Sequence, residues 1–209
     1  PVLYDSTAAI ILSELSRAHW FVNYDKAKDY AQQCLTLSEQ IGYKKGIGKA
    51  YNGMGVINLY QGNKLPALDF LTKALKIREE VADQKDIGST VNNIGAVYYT
   101  MAMYPEALKY YLEALKIYEK FNIKDYLSYS LGNIGDIYSD MGNFDEASKY
   151  LLLALKIDEE RGDKNMIATT RIKIADMNIR KGDLTAALQQ LELVLKLNSE
   201  AGNLGTEAL

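Results

Sequence analysis

The sequence holds one cysteine, Cys34, and one histidine, His19, among 209 residues. A single cysteine forms no internal disulfide and leaves the redox compartment undetermined. One thiol and one imidazole do not make the N/S ligand set of a zinc site. No stretch approaches the roughly 18 apolar residues that span a bilayer, so no membrane contact is expected of this segment. At a net charge of −3 the chain lacks the basic stripe of a nucleic-acid binder, and no nucleic-acid partner is expected. GxxxxGK[ST], GxGxxG after a strand, HExxH and GxSxG are all missing. No catalytic residue, metal or cofactor is therefore expected. The start, "PVLYDSTAAIILSEL", carries neither a basic n-region nor a cleavage site, so no targeting segment is expected there.

What is present is repetition. "NIGAVYYTMAMYPEA" (93–107) and "NIGDIYSDMGNFDEA" (133–147) agree at seven of fifteen positions, and the offset is 40 residues. Steps of 40 from Ala27 give Ala67, Ala107, Ala147 and Ala187, and steps from Gly55 give Gly95, Gly135 and Ala175. "ALKI" recurs at 74–77, 114–117 and 154–157, and "VLKL" follows at 194–197.

Each period contains two helical patterns. Val91, Ile94, Gly95 and Tyr98 fall on one face of a leading helix from about Ile87 to Ala102. Ala107, Tyr111, Ala114 and Leu115 do the same for a trailing helix from about Pro105 to Phe121. Asn23, Asn63, Met103, Asn143 and Asp183 stand at the N-cap of the trailing helix; four of the five can accept a bond from its first N–H groups. Pro66 and Pro105 sit in the first turn, where proline costs little. Gly42, Ala82, Asn122, Gly162 and Gly202 mark its end, and Gly and Asn suit the left-handed residue after a helix. Strand patterns are absent, and the fold class is all-α. Glycine at 55, 95 and 135 gives up about 1 kcal/mol of helix propensity relative to alanine, which close helix packing would compensate. Leu15 takes that slot in the first period, with Ala18 in the place of Tyr98, so local repacking is expected there.

The spacing Gly95…Tyr98, the turn, then Ala107, Tyr111 and Ala114 resembles the tetratricopeptide repeat. The 40-residue length is similar to the longer variant of LGN/Pins-type spindle adaptors, kinesin light chains and arrays preceding bacterial histidine kinases or nucleotide cyclases. The resemblance implies a right-handed superhelical solenoid of antiparallel helix pairs. Its repeats would cover about 7–46, 47–86, 87–126, 127–166 and 167–205. Residues 206–209 would begin a sixth repeat or a capping helix, and the natural chain is expected to continue beyond Leu209.

In such arrays partners usually bind the concave face made by the leading helices. The helical wheel places Ser89, Asn92, Asn93, Ala96 and Thr100 opposite the packed face. The candidate peptide-binding residues in that register are Asn52, Asn92, Asn93, Asn133, Tyr60, Tyr129, Asp136, Asp140, Lys173, Asp176, Arg180 and Trp20. Asparagine is a mediocre helix former, so four on one face call for a reason. Their amides match a peptide backbone as donor and acceptor; a solvated polar face is the competing reading. Asp136, Asp140 and Asp176, with Arg180 beside them, favour a basic or N–H-rich ligand over a terminal carboxylate. Tyr60, Tyr129 and Trp20 could anchor a ligand, or Trp20 could cap the stack. Cys34 aligns with Ala74, Ala114 and Ala154, a small core slot. The expected function is a non-catalytic protein- or peptide-binding scaffold, alternatively the sensory arm of a larger bacterial signalling protein. End-to-end self-association is a further possibility the sequence raises.

Overall fold

The forty-residue register becomes a pair of helices per period. The computed structural model describes residues 2–206. The first unit, Pro1–Phe121, contains α1 (Val2–His19), α2 (Tyr24–Gln40), α3 (Lys44–Tyr60), α4 (Lys64–Glu80), α5 (Gln84–Thr100) and α6 (Tyr104–Lys120). The second, Asn122–Leu209, contains α7 (Lys124–Asp140), α8 (Phe144–Arg161), α9 (Lys164–Lys181) and α10 (Leu184–Thr206). No strand occurs among the described residues. Odd-numbered helices lead each repeat and even-numbered ones trail. Every leading helix packs on its own trailing helix. α3, α5 and α9 also touch the trailing helix before them, and α1–α3, α3–α5 and α7–α9 meet side by side. The chain is an all-α solenoid of helix pairs, as the resemblance implies.

The registers found in the sequence are core registers. Ala27, Ala67, Ala107, Ala147 and Ala187 are all buried. Cys34 is buried as well; its thiol donates to the Ala9 carbonyl at 3.2 Å, and burial pushes its pKa up, opposed by Ser38 and Lys49. The small slot at 55, 95 and 135 works as expected. A methyl on Gly55 would lie 2.6 Å from Leu71 Cγ, and one on Gly135 equally close to Leu151 Cγ. In the first repeat the sizes are exchanged, with Leu15 on the leading helix and Ala31 on the trailing one where later repeats have Leu71, Tyr111 and Leu151.

Of the four polar N-caps, Asn23, Asn143 and Asp183 accept a bond from the third residue onward, but Asn63 makes no such bond. Instead the Asn63 amide donates to Asn58 Oδ1 at 3.4 Å. Two caps escaped the periodic reading: Asp83 and Asp163 accept from Asp86 and Met166 N–H at the start of leading helices α5 and α9. The expected break at Gly202 is not made. α10 runs through it to Thr206, because one glycine costs a helix interior only about 1 kcal/mol when no turn follows. Residues 207–209 of the expected sixth repeat lie outside the described residues.

Helix ends at Ala82 and Ala102 have φ of 54° and 58°, the conformation that Gly42 and Gly162 adopt at the turn equivalent to Ala82 and that Gly62, Gly142 and Gly182 adopt at the turn equivalent to Ala102. A β-carbon there costs about 1–2 kcal/mol, while glycine gives back about 0.4–1 kcal/mol through the unfolded chain. Ala82→Gly and Ala102→Gly should each raise stability by about 0.5–1 kcal/mol. Higher urea midpoints with unchanged slope would show it; lower midpoints would refute it.

Candidate functional site

A helix in this array has neighbours on three sides, and that decides which polar residues reach solvent. The wheel opposite the packed face divides into two rows. The row Asn52, Asn92 and Gly132 is covered; Asn52 and Asn92 expose only 6% and 3% of their surface. The open row is the other one, shifted by a single residue.

In the first unit that row comprises Lys49, Gly53, Val56 and Tyr60 on α3, then Ser89, Asn93, Ala96 and Thr100 on α5. Gly53 and Val56 lie at its buried floor, and Tyr60 and Thr100 stand at its exposed edge. Asn52, expected on the binding face, belongs to a buried network instead. Its Oδ1 accepts from Asn93 Nδ2 at 3.1 Å. Beside it Arg78 Nη1 donates to the Asp86 carbonyl at 2.6 Å and to Thr90 Oγ1 at 2.5 Å. These bonds tie α3, α4 and α5 together. Asn93 thus spends part of its donor capacity inside the fold while keeping some surface open. Tyr60 is exposed and meets Phe21 edge-on with ring centres 4.7 Å apart; burial pushes its phenol pKa up. Trp20 does not stand free on this face. It packs, partly buried, on the core formed by Ala9, Ala27, Ala31 and Cys34, and its indole Nε1 finds no acceptor.

In the second unit the open row is Tyr129, Asn133, Asp136 and Asp140 on α7, then Thr169, Lys173, Asp176 and Arg180 on α9. Tyr129 is exposed. Ion pairs cross the two helices: Lys173 with Asp136, and Arg180 Nη1 with Asp140 Oδ1 at 2.6 Å. Arg180 Nε also holds Asp176 Oδ2 at 2.6 Å within α9. The acidic patch read from the sequence is therefore largely internally neutralised. Burial pushes the Asp136 carboxyl up, with Lys173 pulling it down and Asp140 and Asp176 adding to the rise. Among the described residues no three His, Cys, Asp or Glu side chains are placed to hold a metal ion. No helix among them is long and apolar enough to cross a membrane.

Arg78 and Thr90 were not singled out by sequence. The signal was present at one register slot: Ser38, Arg78, Tyr118 and Asp158 stand 40 residues apart and are all buried. Four chemistries in one slot conceal it from a search for recurring residues.

The tetratricopeptide repeat profile matches residues 7–80, 86–160 and 126–200. Among curated proteins compared by sequence, none matches. A Rap protein complexed with competence and sporulation factor superimposes with a TM-score of 0.80 at 20% identity, over 96% of this chain and 57% of that one. The Rap conjugation gene regulator of plasmid pLS20, in complex with the Phr* peptide, gives 0.77 at 17% identity over 90% and 52%. A signal-transduction ATPase with a tetratricopeptide repeat sensor from Pyrococcus horikoshii gives 0.62 at 20% identity over 96% and 38%. The chain thus spans little more than half of either Rap protein, and less of the ATPase.

Proposed function

We propose that this chain, which belongs to the tetratricopeptide repeat family, is a non-catalytic scaffold that binds an extended peptide or protein segment along its leading helices. The observation that carries this reading is the open row in each unit. Adjacent leading helices α3 and α5 carry Tyr60 and Ser89, Asn93 and Thr100 in one unit, and α7 and α9 carry Tyr129, Asn133, Asp136 and Thr169 in the other. Asparagine amides complement a peptide backbone, and exposed tyrosines supply rigid, amphipathic contact area. The row is an open surface with no nucleophile–base pair on it, so it favours holding a ligand over transforming one. The peptide complexes of the two Rap proteins support the same use of the fold.

The test is selection of random displayed peptides on the immobilised chain, followed by calorimetry. Backbone bonds contribute about 0.5–1.5 kcal/mol each. Asn93→Ala with Tyr60→Ala, or Asn133→Ala with Tyr129→Ala, should therefore weaken a selected peptide by at least about tenfold. Helix content should not change. Equal affinity for both double variants, or no peptide enriched over a blank surface, would remove the reading.

A second reading rests on the likeness to the sensor of the signalling ATPase. In it the same rows receive a signal for an output domain elsewhere in a larger bacterial protein, a histidine kinase or a nucleotide cyclase. Binding would act by shifting the array between conformations. The coding sequence past Leu209 tests it: an output domain there supports the sensor arm, and a stop codon leaves the free-standing scaffold.

A further inference from the structure

The fifth repeat departs from the others at two slots that face each other. On the leading helices one slot holds Tyr51, Val91 and Leu131, the last two buried, and then Arg171. On the trailing helices the facing slot holds Phe70, Tyr110 and Tyr150, and then Gln190. In the second repeat the two slots meet as rings, Tyr51 stacked on Phe70 with centres 6.3 Å apart. In the fifth they meet as a hydrogen bond, Arg171 Nη1 donating to Gln190 Oε1 at 2.9 Å. Apolar side chains serve the fold at these slots, and a largely enclosed charge is a costlier filling. The arginine therefore calls for a use beyond packing.

Beside Arg171 lies a cavity of about 260 Å³ between α8, α9 and α10, lined by Glu159, Ile167, Arg171, Leu193, Lys196 and Leu197. Ile167 is buried at its floor, and Glu159, Leu193 and Lys196 stand exposed at its mouth. The walls are half aliphatic and half charged, with two cations against one carboxylate. The Arg171 side chain keeps only 16% of its surface exposed, and its Nη2 holds Glu159 Oε1 at 2.7 Å. A guanidinium has five N–H donors, and the bonds to Gln190 and Glu159 occupy two of them. The Glu159 carboxylate is half exposed, so it gives up little on turning to water when another anion takes its place.

We propose that this cavity binds a small carboxylate with an apolar body, either a free acid or the C-terminal residue of a peptide chain. Ile167, Leu193 and Leu197 take the body. Arg171 takes the carboxylate, for which a guanidinium offers paired parallel donors, and Lys196 adds a second positive charge. The volume lies just below the about 300–1,000 Å³ of sites for drug-sized ligands, which limits the body to one ring or a short branched chain. Earlier repeats keep Glu and Lys at the registers of 159 and 196 but have no cation at that of 171, so the site is particular to the fifth repeat. Two residues apart on α9, Arg171 and Lys173 project to opposite sides. The site is thus separate from the peptide-binding row and does not depend on it.

The test is calorimetric titration of the 209-residue chain with phenylacetate, phenylacetamide and N-acetyl-leucine, the last presenting its carboxylate as a peptide end does. At least one of the two acids should bind with a dissociation constant at or below about 1 mM, and phenylacetamide at least about tenfold more weakly. The tighter acid tells a free acid from a chain terminus. Arg171→Leu, which restores the residue of the preceding repeat, should weaken the acid by at least about tenfold with helix content unchanged. Leu193→Glu, the residue that α6 has in that slot, should do the same from the mouth of the cavity without altering Arg171. Glu159→Gln removes the competing anion and should tighten binding. No binding of either acid up to about 10 mM would overturn the proposal. So would an amide that binds as well as its acid, or an affinity that both Arg171→Leu and Leu193→Glu leave unchanged.

Discussion

Arg78→Ala is expected to cost the first unit about 3–5 kcal/mol, the range for removing one partner from a buried, charged network. Arg78 is almost completely buried. Its guanidinium serves the Asp86 carbonyl and the Thr90 hydroxyl, with the Asp86 carboxylate 3.8 Å away. Its stem lies against Gly48, where a methyl would come within 3.1 Å of Arg78 Cγ. Truncation therefore removes packing and leaves buried acceptors without a donor, two losses of different kind. Arg78→Met separates them. It keeps most of the volume and takes away the charge, and buried charges exchanged for apolar groups of similar size are often tolerated. The methionine variant should recover more than half of the alanine loss. Trp20, the sole tryptophan, packs, partly buried, against the core of the first unit, so its fluorescence in a urea titration reports the unit concerned. A loss below about 1 kcal/mol for alanine would mean the network is dispensable. Equal losses for both variants would assign the effect to hydrogen bonding alone.

The network also shows where sequence reading stops. A period of 40 with buried alanine registers was enough for the fold, since small residues recur wherever helices approach closely, and repetition makes each position visible several times over. Cys34 was placed correctly by the same logic, from Ala74, Ala114 and Ala154. Position along the wheel was harder. A two-sided helix, with one packed face and one wet face, gives Asn52 and Asn92 the same standing as Asn93. A leading helix in a stack has a third neighbour, the next leading helix, and one residue of rotation separates its contact row from the open row. The pairing of Lys173 with Asp136 and Arg180 with Asp140 is another fact of the third neighbour. Each charge was legible, but the bond between repeats 37 or 40 residues apart was not. Trp20 differs as well: its register predicts the edge of the row, whereas the indole packs, partly buried, onto the core beside it.

Gly55→Leu should destabilise the first unit by about 3 kcal/mol, at the upper end for overpacking, because even a methyl there meets Leu71 Cγ at 2.6 Å and the Ala67 carbonyl oxygen at 3.3 Å. Leu71→Ala alone should cost about 2–5 kcal/mol, since Leu71 is fully buried between α3, α4 and α5. The two together should cost less than their sum by about 2–3 kcal/mol, the coupling expected of residues that share one space. The basis is internal to the chain. The first repeat already carries this arrangement, Leu15 across from the Ala31 register, where its successors have glycine and a large side chain. Recovery should be partial. Leu15 retains 37% of its surface exposed at the end of the array, whereas position 55 is enclosed on both sides and offers an added leucine no route to solvent. The backbone carbonyl of Ala67 also stays where it is, and no shortening of Leu71 relieves that contact. Urea midpoints for the four proteins of the cycle measure the coupling directly. A double variant that loses the full sum would mean that α3 and α4 hold their separation rigidly, with the glycine set by the backbone alone. Recovery to within about 1 kcal/mol of the parent would mean the opposite, that side-chain volume across the slot governs how closely the helices approach.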